Sequence, residues 1–267
     1  MGSVTTVAVF GLGEAGSLIA GDLAAAGATV RGFDPAPVAT PVAVERFERP
    51  ELAVRDADVV MACVAAADAT VAATQALGAI RDGAVYADLG TGSAELKREL
   101  AAIVEPRLRF VDVGLMTVVP GNGLATPSLA SGGGAESYVE LLAPLGAVVE
   151  VVGDEPGVAA TRKLLRSVVM KGLAGLIIEA VRGAAAAGET DWLWGNVVEQ
   201  LAATDEAFVR RLVEGTGVHH VRRLHEMEAA RDLLEALGVD PVMTRSTVEH
   251  LVRVAASGVP ELPESSR

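Results

Sequence analysis

The chain has a single cysteine, Cys63, and aromatic residues fill only 3 % of its 267 positions. One thiol excludes an intrachain disulfide, and its setting in the apolar run DVVMACVAA suits core filling better than nucleophilic chemistry. Positive charge is also scarce: 22 basic residues face 35 acidic ones, for a formal net charge of -13. No broad electropositive face is available, so nucleic acid is not expected as a partner, and an anionic ligand must be held by local donors such as helix N-termini or single placed cations. The 51 % of hydrophobic residues come in short runs broken by charge or glycine, which excludes a membrane-spanning stretch. The opening MGSVTTVAVF lacks the basic region and cleavage site of a signal peptide, so a soluble, cytoplasmic protein is expected. The four histidines hold no metal pattern. His219 and His220 point about 100° apart on a helix, and His225 with Glu226 has no second ligand cluster nearby.

What is present is a first half of alternating signals. VTTVAVFGLG is a β-branched run ending in glycine, and EAGSLIAGDLAAAGA has apolar residues at helical spacing. Further strands are expected at TVRGFDP, ADVVMACVA, GAVYADLG, LRFVDVGLM, PSLASGG and AVVEVVG, with helices at DATVAATQALGAI, SAELKRELAAIV and AESYVELLAPLG. Such alternation predicts an α/β domain with a mainly parallel, doubly wound sheet. After Gly153 the alternation stops. A long helix is expected across 156–188, followed by an all-helical segment over 189–267 that ends in a frayed, proline-containing tail. The chain therefore divides into 1–155, 156–188 and 189–267.

Gly11, Gly13 and Gly16 follow a predicted strand and open a predicted helix, the context in which this spacing marks a dinucleotide-binding turn. Gly11 would make the turn, Gly13 admit a pyrophosphate and Gly16 let helix pack on strand, with Leu12, Glu14 and Ala15 completing the cradle. Asp34, 18 residues beyond Gly16 at the end of the second strand, is placed to accept hydrogen bonds from a ribose. No Arg or Lys occurs from there until Arg46, so NAD is favoured, with NADP as the alternative.

On the long helix Lys163, Arg166 and Ser167 stand at i, i+3 and i+4 and share a face, with Lys171 near it. Hydride transfer to a carbonyl needs one cationic proton donor beside the oxygen, and a lysine meets both requirements. Trp192 and Trp194 suit a substrate cleft, a subunit contact or simple packing.

These segments resemble the β-hydroxyacid dehydrogenase superfamily, which includes 6-phosphogluconate dehydrogenases and imine reductases. FGLGEAG, DVVMACV, ADLGTGSAELKREL, FVDVGLM and GVAATRKLLRS carry the likeness, and the helical tail, KLLRSVVMKGLAGLIIEA with HHVRRLHEMEAARDLLEALGVDP, is similar to the branch with a DUF1932 C-terminal domain. The resemblance implies a Rossmann-type domain, a long interdomain helix and an all-helical domain that dimerises. It implies Lys163 as the catalytic lysine and Val64 and Thr91 as cofactor contacts. It sets Met116, Thr117 and Val118 where the family has a Ser-Gly-Gly substrate loop, and Arg166 and Ser167 where it has an asparagine pair. The expected activity is hydride exchange between a nicotinamide cofactor and a small 3-hydroxy acid or related carbonyl, by a homodimer. The alternatives are reduction of an imine and a nucleotide-binding homologue without turnover.

Overall fold

The computed structural model describes residues 4–264 and divides into two compact units between Arg166 and Ser167. In the first, the strands are β1 (Thr6–Phe10), β2 (Thr29–Phe33), β3 (Glu45–Phe47), β4 (Val59–Ala62), β5 (Val85–Asp88), β6 (Arg109–Leu115), β7 (Ser128–Ser131) and β8 (Val149–Val151). They form one sheet in the order β3-β2-β1-β4-β5-β6-β7-β8, parallel except for the β6–β7 pair. The order reverses at β1, whose neighbours are β2 and β4, and the crevice beyond the strand ends at such a reversal is where ligands bind in open α/β sheets.

The two faces follow from side-chain alternation along the strands. Val7 and Val9 of β1 point into one apolar cluster, joined by Ile19 and Leu23 of α1 (Glu14–Ala25). Ala8 and Phe10 point into the other, against α2 (Pro50–Ala53), α3 (Ala69–Ala76) and α4 (Ala94–Val104). The first face is completed by α5 (Ala135–Leu142), with Tyr138 and Leu142 buried. Strand β3 and helix α2 are additions to the expected elements; both are very short, and the proline at the start of α2 marks its first turn.

Helix α6 (Val158–Ala187) begins in the first unit and continues into the second. The second unit adds α7 (Thr190–Ala202), α8 (Glu206–Ala236) and α9 (Val242–Ser257). The two segments DEAFVRRLVEG and HHVRRLHEMEAARDLLEALG are two helical stretches, taken together as α8, that meet at a kink where His219 leaves helical geometry at φ -115°, just after Gly215 and Gly217. The tail, expected to fray, is held over its described residues: Val259 packs at Gly217 and the Pro263 carbonyl accepts from Arg210. Among the described residues no helix is long and apolar enough to cross a membrane.

Candidate functional site

The glycine turn is built by steric need. Gly11 has φ +84°, and a Cβ there would lie 2.5 Å from the Cys63 carbonyl oxygen. A Cβ on Gly16 would lie 1.8 Å from the Gly11 carbonyl oxygen, so α1 can approach the turn only with glycine at that place. Gly13 differs: a Cβ would meet nothing within 4 Å, and as the N-cap of α1 it offers no side-chain acceptor to the helix amides. That open space at a helix N-terminus suits a phosphate group. The Leu12 side chain is core, 2 % exposed, whereas its N–H donates to Asp34 Oδ2 at 2.7 Å; Ala36 N–H donates to Asp34 Oδ1 at 2.8 Å. Glu14 is exposed in the first turn of α1.

Two cavities open at the strand ends. One, about 430 Å³, is lined by Gly11, Gly13, Phe33, Asp34 and Val64. The other, about 470 Å³, is lined by Ala15, Val64, Gly90, Thr91, Leu115 and Lys163. Both share Cys63, Val64 and Ala65 after β4, so the two lie on either side of one strand end. Burial, and secondarily the charge of Asp88, pushes the Cys63 thiol up to about 12, which leaves it protonated and inert at neutral pH.

In the second cavity Lys163 Nζ donates to Thr91 Oγ1 at 2.9 Å. The predicted proton donor and a residue predicted to touch the cofactor are therefore hydrogen-bonded to each other across 72 positions. Arg166 is exposed near the end of the same unit; Ser167, Lys171, Trp192 and Trp194 belong to the second unit, where both tryptophans are largely exposed. Met116, Thr117 and Val118 fall outside the lining of the Lys163 cavity, which Leu115 reaches instead. They open a loop whose Leu124 N–H is held by Asp22 of α1 and whose Leu124 side chain is part of the core.

Arg46 lies closer to the ribose end than its chain position suggests. Its guanidinium folds back on the turn after Asp34 and donates to the carbonyls of Asp34 at 3.0 Å, Ala36 at 2.5 Å and Val38. Sequence reasoning also passed over Lys97, Asp88 and Asp112, which form a buried ion cluster below the Gly90–Thr91 segment. The signal was available: Lys97 falls in the buried stripe of α4 with Leu100, Ala101 and Val104, a position that calls for an apolar residue unless a carboxylate waits beneath.

A parallel sheet with a glycine turn at its reversal point and a lysine facing the adjoining cavity defines a nucleotide-dependent oxidoreductase fold. The chain belongs to the family described as the NAD binding domain of 6-phosphogluconate dehydrogenase, whose model matches residues 6–153; a second model, a domain of unknown function (DUF1932), matches residues 184–254. It is 31 % identical over 214 residues to a probable 3-hydroxyisobutyrate dehydrogenase of Mycobacterium tuberculosis, an alignment that covers 77 % of this chain and 64 % of that protein. The chain thus matches less than two thirds of that relative's length. A conserved hypothetical protein from Sinorhizobium meliloti 1021 is similar in structure, with a TM-score of 0.61 and 30 % identity over 95 % of this chain and 89 % of that one. A reductive aminase from Aspergillus terreus, solved in complex with NADPH4, cyclohexanone and allyl amine, shares the fold with a TM-score of 0.76 at 19 % identity, covering 96 % of this chain and 95 % of its own.

Proposed function

We propose that the protein is an NAD(H)-dependent oxidoreductase acting on a small 3-hydroxy acid or the matching aldehyde, with Lys163 as the general acid and base. The observation that carries this reading is the Lys163–Thr91 hydrogen bond, facing a cavity that adjoins the glycine turn. The residues present fit a dinucleotide: the open space at Gly13 would take the pyrophosphate, Asp34 the adenosine ribose, and Val64, Ala15 and Thr91 the nicotinamide half. A bound nicotinamide supplies the acceptor or donor of hydride. In oxidation Lys163 takes the hydroxyl proton as the carbonyl forms, and in reduction it returns that proton to the oxygen, with Thr91 fixing the direction of Nζ. Arg166, on the same helix and in the same unit as Lys163, would orient a carboxylate.

A sugar phosphate is disfavoured, because the cavity that holds Lys163 is lined by no other Arg or Lys among the described residues. The 3-hydroxyisobutyrate dehydrogenase relative supports a small hydroxy acid. We further assign 1–155 to cofactor binding and 156–188 with 189–267 to a homodimeric substrate domain in the cytoplasm. The second unit exposes Val168 (72 %), Val169 (65 %) and Trp192 (66 %), apolar surface suited to a subunit contact. A panel of 3-hydroxy acids, their aldehydes, 6-phosphogluconate and cyclic imines, followed by nicotinamide absorbance in both directions, tests the reading. Turnover of 3-hydroxy acids supports it, efficient oxidation of 6-phosphogluconate overturns it, and turnover of imines alone makes the protein an imine reductase. NADH binding without turnover of any of them would make it a non-catalytic homologue.

A further inference from the structure

Asp88 of β5, Asp112 of β6 and Ser131 of β7 are direct partners in one row across the sheet. Two carboxylates side by side repel, and here both are sealed from solvent, Asp88 at 1 % and Asp112 at 0 % exposure. Lys97 of α4, itself 1 % exposed, answers them. Its Nζ donates to Asp88 Oδ2, stands 3.2 Å from Asp112 Oδ1, and donates to the carbonyls of Asp88 at 3.2 Å and Gly90 at 2.8 Å.

The cluster reaches both halves of the Lys163–Thr91 pair. Gly90, whose carbonyl Lys97 holds, directly precedes Thr91. Asp112 Oδ2 accepts the Ala160 N–H at 2.8 Å, and Ser131 Oγ accepts the Ala159 N–H at 3.0 Å while standing 3.4 Å from Asp112 Oδ2. Those two amides lie in the first turn of α6, and Lys163 follows within the next. One buried ammonium therefore ties down the Thr91 segment directly and the Lys163 helix through Asp112.

Buried ion clusters seldom stabilise a fold more than apolar side chains of similar volume would, so a cluster of this kind is more readily explained by the geometry it imposes. We propose that Lys97 is a positioning residue that sets the Lys163–Thr91 pair, acting through the Gly90 carbonyl on one side and Asp112 on the other. The proposal rests on the assignment of Lys163 as proton donor made above.

Lys97→Met keeps the length of the side chain and removes the charge. It should lower kcat at least tenfold on the 3-hydroxy acid that reacts while leaving KM and NADH affinity within threefold. Competitive trace acetylation read by mass spectrometry should show at least a threefold change in the labelling rate of Lys163. The double variant Lys97→Met/Asp88→Asn also removes a stranded carboxylate; it should regain thermal stability yet keep the low kcat and altered labelling. Recovery of kcat and labelling together with stability would overturn the proposal, because Lys97 would then serve folding alone. Loss of NADH binding in step with kcat would overturn it as well. Where Lys97→Met does not fold, Ser131→Ala carries the test: it leaves all three charges in place and cuts one tie to α6, and unchanged Lys163 labelling would count against the proposal. The labelling needs no substrate, so failure of every 3-hydroxy acid to react would remove the assigned activity and still leave the Lys97 result readable.

Discussion

Asp34 Oδ2 accepts a hydrogen bond from the Leu12 N–H at 2.7 Å, which joins the end of β2 to the middle of the glycine turn. The carboxylate proposed to meet the ribose thus also holds the turn proposed to meet the pyrophosphate. Hydrogen bonds to a charged acceptor contribute about 1.5–3 kcal/mol each, so Asp34→Ala should weaken NADH binding about tenfold or more. In the unsubstituted protein NADH should bind more tightly than NADPH, since the Arg46 donors are directed at the carbonyls of the turn. Fluorescence titration with both cofactors checks this, and tighter binding of NADPH would shift the discrimination from Asp34 to Arg46.

Lys163 and Thr91 make the second prediction. Lys163→Met should cut turnover by about two to four orders of magnitude, the range for a positioned acid or base, with NADH affinity nearly unchanged. Thr91→Val removes the 2.9 Å partner of Nζ and should lower kcat by a smaller factor, about tenfold. Equal loss of NADH binding in the lysine variant would assign Lys163 to cofactor retention instead of proton transfer.

The doubly wound sheet was legible because its cues are local: β-branched runs, glycine at the strand end and helical apolar spacing. Helix α6 was legible for the same reason. The Lys97 cluster was not, because Asp88 and Asp112 become partners only once β5 and β6 align, 24 positions apart in the chain. Arg46 shows the same limit. Its distance from Asp34 along the chain argued against a role at the ribose end, yet β3 pairs with β2 and brings it back to the turn. Segments such as Met116 to Val118 could be aligned by likeness, but the course of the loop they open depends on Asp22 holding Leu124, a contact 102 positions apart.

The packing of α1 on the turn leads to a sharp test. A Cβ at Gly16 would stand 1.8 Å from the Gly11 carbonyl oxygen and 3.2 Å from the Cys63 Cβ, neither of which is the end of a flexible side chain. Gly16→Ala should therefore lower stability by about 2 kcal/mol or more and abolish NADH binding, whereas Gly13→Ala, with open space around its Cβ, should leave stability within about 1 kcal/mol. Urea denaturation of the two variants measures the difference; similar losses in both would contradict the packing described here.

Cys63 is half-buried and lines both cavities, yet its thiol should react slowly. With its thiol pushed up to about 12 by burial, it should resist a thiol-specific disulfide reagent between pH 7 and 9 and react fully only after denaturation. Rapid reaction in the folded protein would mean that reagent reaches the thiol through the cavities it lines and finds it ionised.

Glu179 should contribute to the pH dependence of the second unit's stability. Its carboxylate, 7 % exposed, accepts from Met243 N–H at 2.7 Å, from Thr244 N–H at 2.9 Å and from Thr244 Oγ1 at 2.7 Å, and so caps the first turn of α9 from a neighbouring helix. Burial opposes the charge, but the hydrogen bonds from Thr244 and Met243, with Arg245 nearby, outweigh it and hold the carboxyl below its ordinary value. A carboxyl lowered on folding gives up its proton more readily in the folded state than in the unfolded one. Its stabilisation is therefore complete above the ordinary carboxylate range and is lost as pH falls through the lower folded value. Glu179→Gln keeps the shape but turns an amide toward donors, and should cost about 2 kcal/mol at pH 7. That difference should shrink as the pH falls from the ordinary carboxylate range toward the lower folded value, because the unfolded carboxyl takes up its proton first. Urea denaturation of both proteins at pH 7, 5 and 3.5 makes the comparison. A difference that stayed constant across the three would assign the cost to packing around residue 179 and not to its charge.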